Sequence, residues 1–573
     1  MADRIKRTDI IMSDKKGVSH SQGRNNKKDG FIVQAGILAA ASIICRIIGL
    51  LYRGPLTGII GDEGNGYYST AYNIYTIVLL VSSYSIPSAI AKVLAQKLAL
   101  KEYHNAQRIF KCALVYVMVV GAAASLVLFL WAPFFVMGNS IPVLRVFAPT
   151  IFFYGLLGVL RGYFQAHRTM MQTSVSQILE QILNAAVSLG AAHLLVQAAV
   201  SSEADAGTQA MYGAIGSALG TGSGVLAALL FMVAIYLTNR KMINRRITYD
   251  RTENIESYGD IFKLMMAVVT PFILSTCIYN LTTALNQTVY LNMMVSFKEM
   301  DKVAATTEIG IFSTKAVTIS NIPIALASAM SSAIVPTISA TYAQGSVKQT
   351  KKKIAYAIKV TMLISIPAAV GIGILARPVM MVLFPQLDSL VLASRLLIGM
   401  AATVVFYGLS TLTNAVLQGI GKVNTPVINA VLAIGIQTAV LVPLLYYTDW
   451  GVYSVMAATV LYSIVMCILN NIFMRKYLGY KQEIARTFIR PLFCSVLMGT
   501  AAYGVYEGME YLLEMFMASA YFINLIAFSA AAFVGILLYF VLVIKLKAVK
   551  EADLKGLPKG RAAVKLAKKM RLL

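Results

Sequence analysis

Four basic side chains occur inside or beside long apolar segments of this sequence, where a charge is costly. They are Arg46, Arg53, Lys315 and Arg395. Placing a charged side chain at the centre of a bilayer costs at least about 2.5–3.5 kcal/mol, so such residues face a cavity or an opposite charge. Arginine can bind a phosphate through two hydrogen bonds, and lysine supplies a point charge. The four residues therefore predict a binding site for an anionic, phosphate-bearing substrate.

Polar residues repeat at helical spacing in the same kind of apolar segment. Such a polar face must meet water, a substrate or another helix. Glu180 is an acidic residue inside the predicted span 174–199, and it is a candidate for coupling to protons. One acid cannot balance three intramembrane cations, so the substrate is expected to supply the missing negative charge. The predicted cavity-lining residues are Glu180, Asn73, Gln177, Asn184, Asn280, Thr283 and Gln287.

Two simpler interpretations remain open for these residues. Each basic side chain could extend toward the membrane surface on its own, with its charge in water and its stem in lipid. The polar stripes could form hydrogen bonds between helices without lining any cavity. In either case the predicted fold would be unaffected, but the predicted binding site would not exist.

Motifs for catalysis, cofactors or metals are missing from the sequence. No phosphate-binding GxxxxGK[ST] loop and no HExxH string is present, and the four histidines are scattered. The five cysteines lie in apolar runs without a CxxC pair, as expected for small buried residues. We therefore predict that the protein is not an enzyme and that it needs no cofactor and no metal.

The composition is that of a protein built largely within a membrane. Of 573 residues, 58% are hydrophobic and only 13% are charged, which excludes a soluble globular domain and a disordered chain. A membrane-spanning helix needs about 20 mostly apolar residues. Fourteen segments qualify, which predicts an all-α polytopic membrane protein. They are 31–52, 68–91, 111–137, 143–164, 174–199, 210–237, 264–291, 308–342, 354–376, 389–417, 425–447, 452–474, 490–513 and 520–546.

The net charge of +25 is concentrated in alternate connections between the spans. The connections on the side of the N-terminal tail hold nearly all the lysine and arginine. Lysine and arginine accumulate on the cytoplasmic side of membrane proteins, so both termini are predicted to be cytoplasmic, in a bacterial cell membrane. The charge then marks orientation and attraction to anionic membrane lipids, and no nucleic acid is expected as a partner. The outer connections hold only Arg53, Arg145, Lys298, Lys302 and Arg377.

Two short strings recur six spans apart and indicate an internal repeat. Residues 86–91 (IPSAIA) resemble 322–327 (IPIALA), and 153–156 (FYGL) recur at 406–409. Because six is an even number, both copies enter the membrane with the same orientation, as in a two-lobed transporter. The predicted parts are a basic N-tail (1–30), an N-lobe (31–237), a linker (238–263), a C-lobe (264–474), an extra helix pair (475–546) and a basic C-tail (547–573).

Residues 34–91 closely resemble the opening of polysaccharide-export and sporulation-type flippases of the MOP superfamily. The lipid II flippases and, more distantly, the MATE multidrug exporters are relatives. Residues 161–181 (RGYFQAHRTMMQTSVSQILEQ) and 417–430 (LQGIGKVNTPVINA) resemble inner connections of the same family. The resemblance implies two parallel six-helix lobes that alternate in access to a central cavity. It also implies a cargo of undecaprenyl-diphosphate-linked oligosaccharide, lipid II above all, and cell-wall synthesis enzymes as possible partners.

The family resemblance also assigns roles to the basic residues. Arg46, in the string Cys45-Arg46-Ile47-Ile48-Gly49, stands where lipid II flippases carry an arginine, and Arg53 follows at a spacing one residue wider. Lys315 lies near the family's arginine in span 8. The family's arginine in span 2 is missing here, and Arg395 is a candidate to replace it.

The prediction is therefore a flippase driven by alternating access. The alternative is a cation-coupled MATE-type drug exporter in which Glu180 binds the cation. A membrane scaffold that transports nothing is a third hypothesis, and it would have a dry, apolar interface between the lobes. Because spans 7–12 contain no acidic residue at mid-membrane depth, a carboxylate cation site in the second lobe is not expected. The membrane potential is the other candidate energy source.

Overall fold

The computed structural model describes residues 44–84, 86–167, 169–250, 255–384, 386–422 and 424–546, together with residues 41, 548 and 549. The predicted N-tail, most of the predicted C-tail, most of the beginning of the first predicted span and the side chain of Asn280 lie outside this description. Over the described ranges the chain is helical and has no strand. The predicted all-α class is confirmed.

The helices follow one another with short connections. Three π-helical turns interrupt or extend them, at Leu80–Tyr84, Phe312–Ala316 and Ala485–Ile489. The helices are α1 (Ile44–Ser83), α2 (Ile86–Ala99), α3 (Tyr103–Leu130), α4 (Ala132–Phe135), α5 (Ser140–Ala166), α6 (Met170–Ser201), α7 (Ala206–Thr248), α8 (Tyr258–Ser296), α9 (Lys302–Ile311), α10 (Val317–Ala343), α11 (Val347–Ile374), α12 (Ala376–Leu383), α13 (Leu390–Gly419), α14 (Asn424–Tyr447), α15 (Val452–Leu478), α16 (Arg490–Glu514) and α17 (Ala520–Lys545).

Eleven helices of the described chain are long and apolar enough to cross a membrane. Nearly every predicted span has a helix at its position, but the count of fourteen crossings stays a prediction. The main difference concerns the connection expected between the first two spans. That segment is helical and belongs to α1, which is interrupted at Gly61, where φ is +71°. Glycine adopts this left-handed conformation without steric cost, so it permits the chain to bend there.

The buried apolar residues form separate cores for the two halves of the chain. One core joins α2, α3, α5 and α7, and two others join α9 to α15. Helix α8 belongs to both halves. Ile261 and Met265 near its start lie in the first core, and Tyr290 and Met294 near its end lie in the second. The helix predicted to open the C-lobe thus also packs against the N-lobe.

Helix α17, in the final helix pair, packs against helices of the predicted C-lobe. The hydroxyl of Tyr539 in α17 donates to the backbone oxygen of Leu363 in α11 at 2.9 Å. Asn524, at the start of α17, donates to the backbone oxygen of Pro378 in α12 at 3.1 Å. Both contacts join α17 to helices of the predicted C-lobe, and the assignment of an accessory pair outside the repeat stays a prediction.

Candidate functional site

Helix α1 carries polar side chains that reach from the N-lobe to the C-lobe. The guanidinium of Arg53 donates to the hydroxyl of Thr318 in α10. Gln386, after α12, donates to the backbone oxygen of Thr57. Glycine at position 54 lets the backbones approach, because a Cβ there would collide with the backbone oxygen of Leu383. We call the set of contacting polar residues the interlobe cluster. Its members are Arg53, Thr57, Asp62, Lys315, Thr318 and Gln386.

An ion pair between the lobes is the most buried contact of the interlobe cluster. The ammonium of Lys315 lies 2.6 Å from a carboxylate oxygen of Asp62 and 2.7 Å from the hydroxyl of Ser389. Lys315 is only 1% exposed, and the ring of Phe384 lies 5.5 Å from its ammonium. The prediction that Lys315 lacks a counter-charge is therefore wrong. Asp62 lies in the segment predicted as an outer connection, and only the fold brings it to the lysine.

Small residues let α1 and α9 pack closely beside this ion pair. A Cβ on Gly66 would lie 2.5 Å from the backbone oxygen of Thr306, and a Cβ on Gly310 would lie 2.5 Å from the Cα of Gly66. Such distances exclude any larger side chain unless the helices separate. Together with the ion pair, this packing holds α1 and α9 against each other near the end predicted to face outward.

Two of the predicted cavity residues also meet across the lobes. The side-chain amide of Asn73 in α1 donates to the side-chain oxygen of Gln287 in α8. Thr283, one turn before Gln287, is exposed. This contact supports a polar, and not an apolar, interface between the lobes.

The predicted coupling residue Glu180 has a basic partner within its own lobe. Its carboxylate lies 2.7 Å from the guanidinium of Arg161 in α5, and Arg161 also donates to the hydroxyl of Ser176 at 3.0 Å. Arg161 is buried. The sequence interpretation missed this residue because it treated Arg161 as part of the basic inner connection. Its position inside the apolar run 143–164 was the signal that could have revealed it.

Other polar residues of the stripe predicted in the fifth span, which lies in α6, pack near α1. Asn184 donates to the hydroxyl of Tyr52 at 3.5 Å, and Gln181 lies next to Gly49. The side-chain oxygen of Gln177 is buried without a hydrogen-bond partner among the described residues. The stripe predicted in the fifth span thus serves at least partly in helix packing.

Arg46 differs from the other predicted cations because it remains accessible. Its side chain is exposed, and within the described residues it has no hydrogen bond and no ion pair. Gly49, about one turn further along α1, lies next to Gln181, so this turn of α1 lies beside α6. Arg46 is therefore a cation of the N-lobe that an anionic ligand could still bind.

Arg395 is not brought to the interlobe cluster. It is exposed on α13, and no hydrogen bond or ion pair links it to any residue in the described part of the chain. Val391 and Ile398, about one turn to either side, are 61% and 53% exposed. These apolar surroundings are typical of a helix face in contact with lipid. On such a face an arginine extends its charged group to the membrane surface.

Apart from Lys315, the polar residues buried in the described part of the C-lobe are uncharged. Gln437 donates to Asn286, and Asn286 donates to the hydroxyl of Thr459 at 3.4 Å. In the described chain no group of three histidine, cysteine, aspartate or glutamate residues could hold a metal ion. The sequence interpretation did not single out this amide cluster, because its members lie on three different helices.

The chain is similar to known transport proteins over most of its length. The sequence model of the family described as lipid II flippase MurJ matches residues 109–526. The lipid II flippase MurJ of Bacillus subtilis (strain 168) is 24% identical over 483 residues, which are 81% of this chain and 86% of that protein. Stage V sporulation protein B of the same organism is 22% identical over 546 residues, covering 93% and 98%.

A solved structure has the same fold. It is a lipid II flippase MurJ in an inward closed conformation, with a TM-score of 0.61 and 15% sequence identity. The similarity covers 88% of this chain and 97% of that one. The predicted resemblance to MOP-superfamily flippases is thereby confirmed.

Proposed function

Because the chain belongs to the lipid II flippase MurJ family, we propose that it carries a lipid-linked oligosaccharide across the cell membrane. The cargo is an undecaprenyl-diphosphate-linked sugar, with lipid II as the first candidate, and it moves from the inner to the outer leaflet. The protein supplies binding and a change of access, and it makes or breaks no covalent bond. On the predicted orientation, both termini lie in the cytoplasm.

The observation that carries this proposal is the contrast between Arg46 and Lys315. Lys315 has its counter-charge in Asp62, so it closes the lobes, whereas Arg46 is exposed and has no partner in the described chain. A diphosphate entering from the inner side would meet Arg46 first. Arg53, whose guanidinium donates to the neutral hydroxyl of Thr318, is the next cation along α1.

In this proposal, alternating access depends on the contacts of the interlobe cluster. When the interlobe cluster is intact, the cavity between the lobes is closed at its outer end. Opening outward requires Lys315 to leave Asp62, and a bound diphosphate offers that lysine another anionic partner. The cargo would thus lower the cost of breaking the ion pair, because a buried charge left alone is strongly unfavourable.

The rival drug exporter receives less support. Its coupling acid would have been Glu180, which is held by Arg161 at 2.7 Å. A carboxylate that forms a buried ion pair is a poor site for a cationic drug, since binding would leave the guanidinium without its partner.

The test is a flipping assay in proteoliposomes loaded with polyprenyl-diphosphate sugars of defined structure, with and without an inside-negative membrane potential. We expect flipping of the lipid-linked sugar by the native chain and a loss of at least about tenfold for Arg46→Ala, since a charge-assisted contact to phosphate is lost. Arg395→Ala is the matched control and should flip normally. Export of a cationic dye without any flipping of the lipid would overturn the proposal.

A further inference from the structure

A basic pocket of about 480 Å³ lies where α3, α7 and the start of α8 meet, away from the interlobe cluster. Three permanently charged side chains line it, Arg108 and Lys111 from α3 and Arg240 from α7. Tyr258 of α8 closes one side. Three helices therefore contribute to a single concave, positively charged site.

Among the described residues, no ion pair joins Arg108, Lys111 or Arg240 of this pocket to a carboxylate. Arg108 donates to the backbone oxygen of Glu256 at 2.8 Å and lies 4.9 Å from the centre of the Tyr258 ring, and neither contact offsets its charge. The carboxylate of Glu256 pairs with Lys97 instead. Asp250 accepts a hydrogen bond from the backbone nitrogen of His104 at 2.6 Å.

The other two cations are free to bind an external anion. Lys111 and Arg240 are exposed, and neither has a hydrogen bond or an ion pair in the described ranges. A concave site whose three cations form no ion pair with a described carboxylate is complementary to a phosphate.

An apolar surface leads from the pocket into the membrane. Leu237 lines the pocket and is 55% exposed, and Leu230, on the same face of α7, is 61% exposed. On α3, Val115 and Met118 follow Lys111 by four and seven residues, so they share its face, and both are exposed. Exposed apolar side chains of this kind can pack against the acyl chains of a lipid, whereas a soluble phosphate would make no contact with them.

The length of α7 places the pocket at the membrane surface. Its 43 residues would extend about 64 Å at 1.5 Å per residue, about twice the thickness of the hydrocarbon core. The end that carries Arg240 therefore projects from the membrane, although the sequence predicted a linker from residue 238. On the orientation predicted from the lysine and arginine distribution, this end faces the cytoplasm.

We propose that this pocket binds the head group of an anionic phospholipid from the inner leaflet. The phosphate lies among Arg108, Lys111 and Arg240, and the acyl chains lie along the exposed faces of α3 and α7. Basic pockets between membrane helices on the cytoplasmic side commonly bind anionic head groups. The inference does not depend on the cargo, since no residue of the pocket belongs to the interlobe cluster.

The experiment is native mass spectrometry of the detergent-solubilised full chain, titrated with phosphatidylglycerol or with phosphatidylcholine of the same acyl chains. We expect the native protein to bind phosphatidylglycerol more tightly. The double variant Lys111→Gln/Arg240→Gln should bind it about tenfold more weakly and lose the preference, because two charges at the head group are removed.

The matched control is Lys241→Gln/Arg245→Gln, which removes the same charge from the end of α7 outside the pocket. It should keep the preference. An equal loss in both double variants would overturn the proposal in favour of diffuse attraction, and a preference that survives in Lys111→Gln/Arg240→Gln would overturn it outright. Displacement of the lipid by glycerol phosphate at a similar concentration would show a soluble ligand instead. If the double variant fails to fold, Arg240→Gln alone is compared with Lys241→Gln by the same readout.

Discussion

Asp62 of the N-lobe and Lys315 of the C-lobe lie 2.6 Å apart and form a buried ion pair across the interface of the two lobes. The pair is asymmetric in its surroundings. Lys315 is 1% exposed, whereas the side chain of Asp62 retains 13% exposure. The ammonium also has Ser389 as a hydrogen-bond acceptor, so it is the better satisfied of the two charges.

This asymmetry predicts the outcome of a double-mutant cycle. Removing one partner of a buried ion pair typically costs about 3–5 kcal/mol, because the other charge stays buried. Asp62→Asn should therefore destabilise the protein more than Lys315→Gln, since it leaves the more buried charge alone. The double variant should be less destabilised than the sum of the single variants. Thermal unfolding in detergent measures all four proteins, and simple additivity would mean that the pair contributes nothing.

The packing of Gly66 against Gly310 makes a second prediction. Gly66→Ala places a methyl group 2.5 Å from the backbone oxygen of Thr306, so the lobes must separate at that point. We expect the buried Thr70 nearby, replaced by cysteine in a cysteine-free background, to react several-fold faster with a membrane-impermeant maleimide. The rate of labelling in intact cells, before and after the glycine is replaced, measures this opening.

The control for this prediction is Gly190→Ala in α6, because a Cβ at that position has no atom within 4 Å. It should leave the labelling rate of the reporter cysteine unchanged. Unchanged labelling in Gly66→Ala as well would mean that α1 and α9 do not form the closed end of the cavity.

The sequence predicted the helices well and the partners of the charged residues poorly. A long apolar run is a local property, so most of the long helices from residue 103 onward could be predicted from the sequence alone. The partner of Lys315 could not be predicted from the sequence, because Asp62 is distant in the chain. It lies in a segment predicted as a connection between spans. Gly61 shows the same limit, since its positive φ of +71° within the helical segment could not be predicted from the sequence pattern.

Positions at the edge of a span were the other source of error. Arg161 lies near the end of α5, where an arginine can either reach the membrane surface or turn inward. Ser176 and Glu180 on the next helix decide between these outcomes by accepting its hydrogen bonds. Arg395 shows the converse, because it stands in an apolar run as Lys315 does but lies exposed on α13 among exposed apolar residues.

The ion pair between Arg161 and Glu180 leads to a third prediction. If Glu180 stabilises the N-lobe, Glu180→Gln should lower the thermal stability because Arg161 keeps its charge and loses its carboxylate. Arg161→Gln/Glu180→Gln should recover part of the loss. Circular dichroism during heating in detergent gives both values. A fully stable Glu180→Gln whose flipping no longer responds to a pH gradient would instead assign proton coupling to Glu180.

The last prediction ranks the four basic residues that the sequence singled out. Arg46 is exposed and unpaired within the described chain, so Arg46→Ala should abolish flipping and leave the unfolding temperature unchanged. Lys315→Gln should impair both, because Lys315 also holds the lobes together. Arg53→Gln should impair flipping and loosen the contact with Thr318, with an intermediate effect on stability. Arg395→Ala should change neither quantity. Flipping and thermal unfolding, measured side by side for these variants, separate residues that bind the diphosphate from those that only close the cavity, and equal behaviour of Arg46→Ala and Arg395→Ala would remove Arg46 from the binding site.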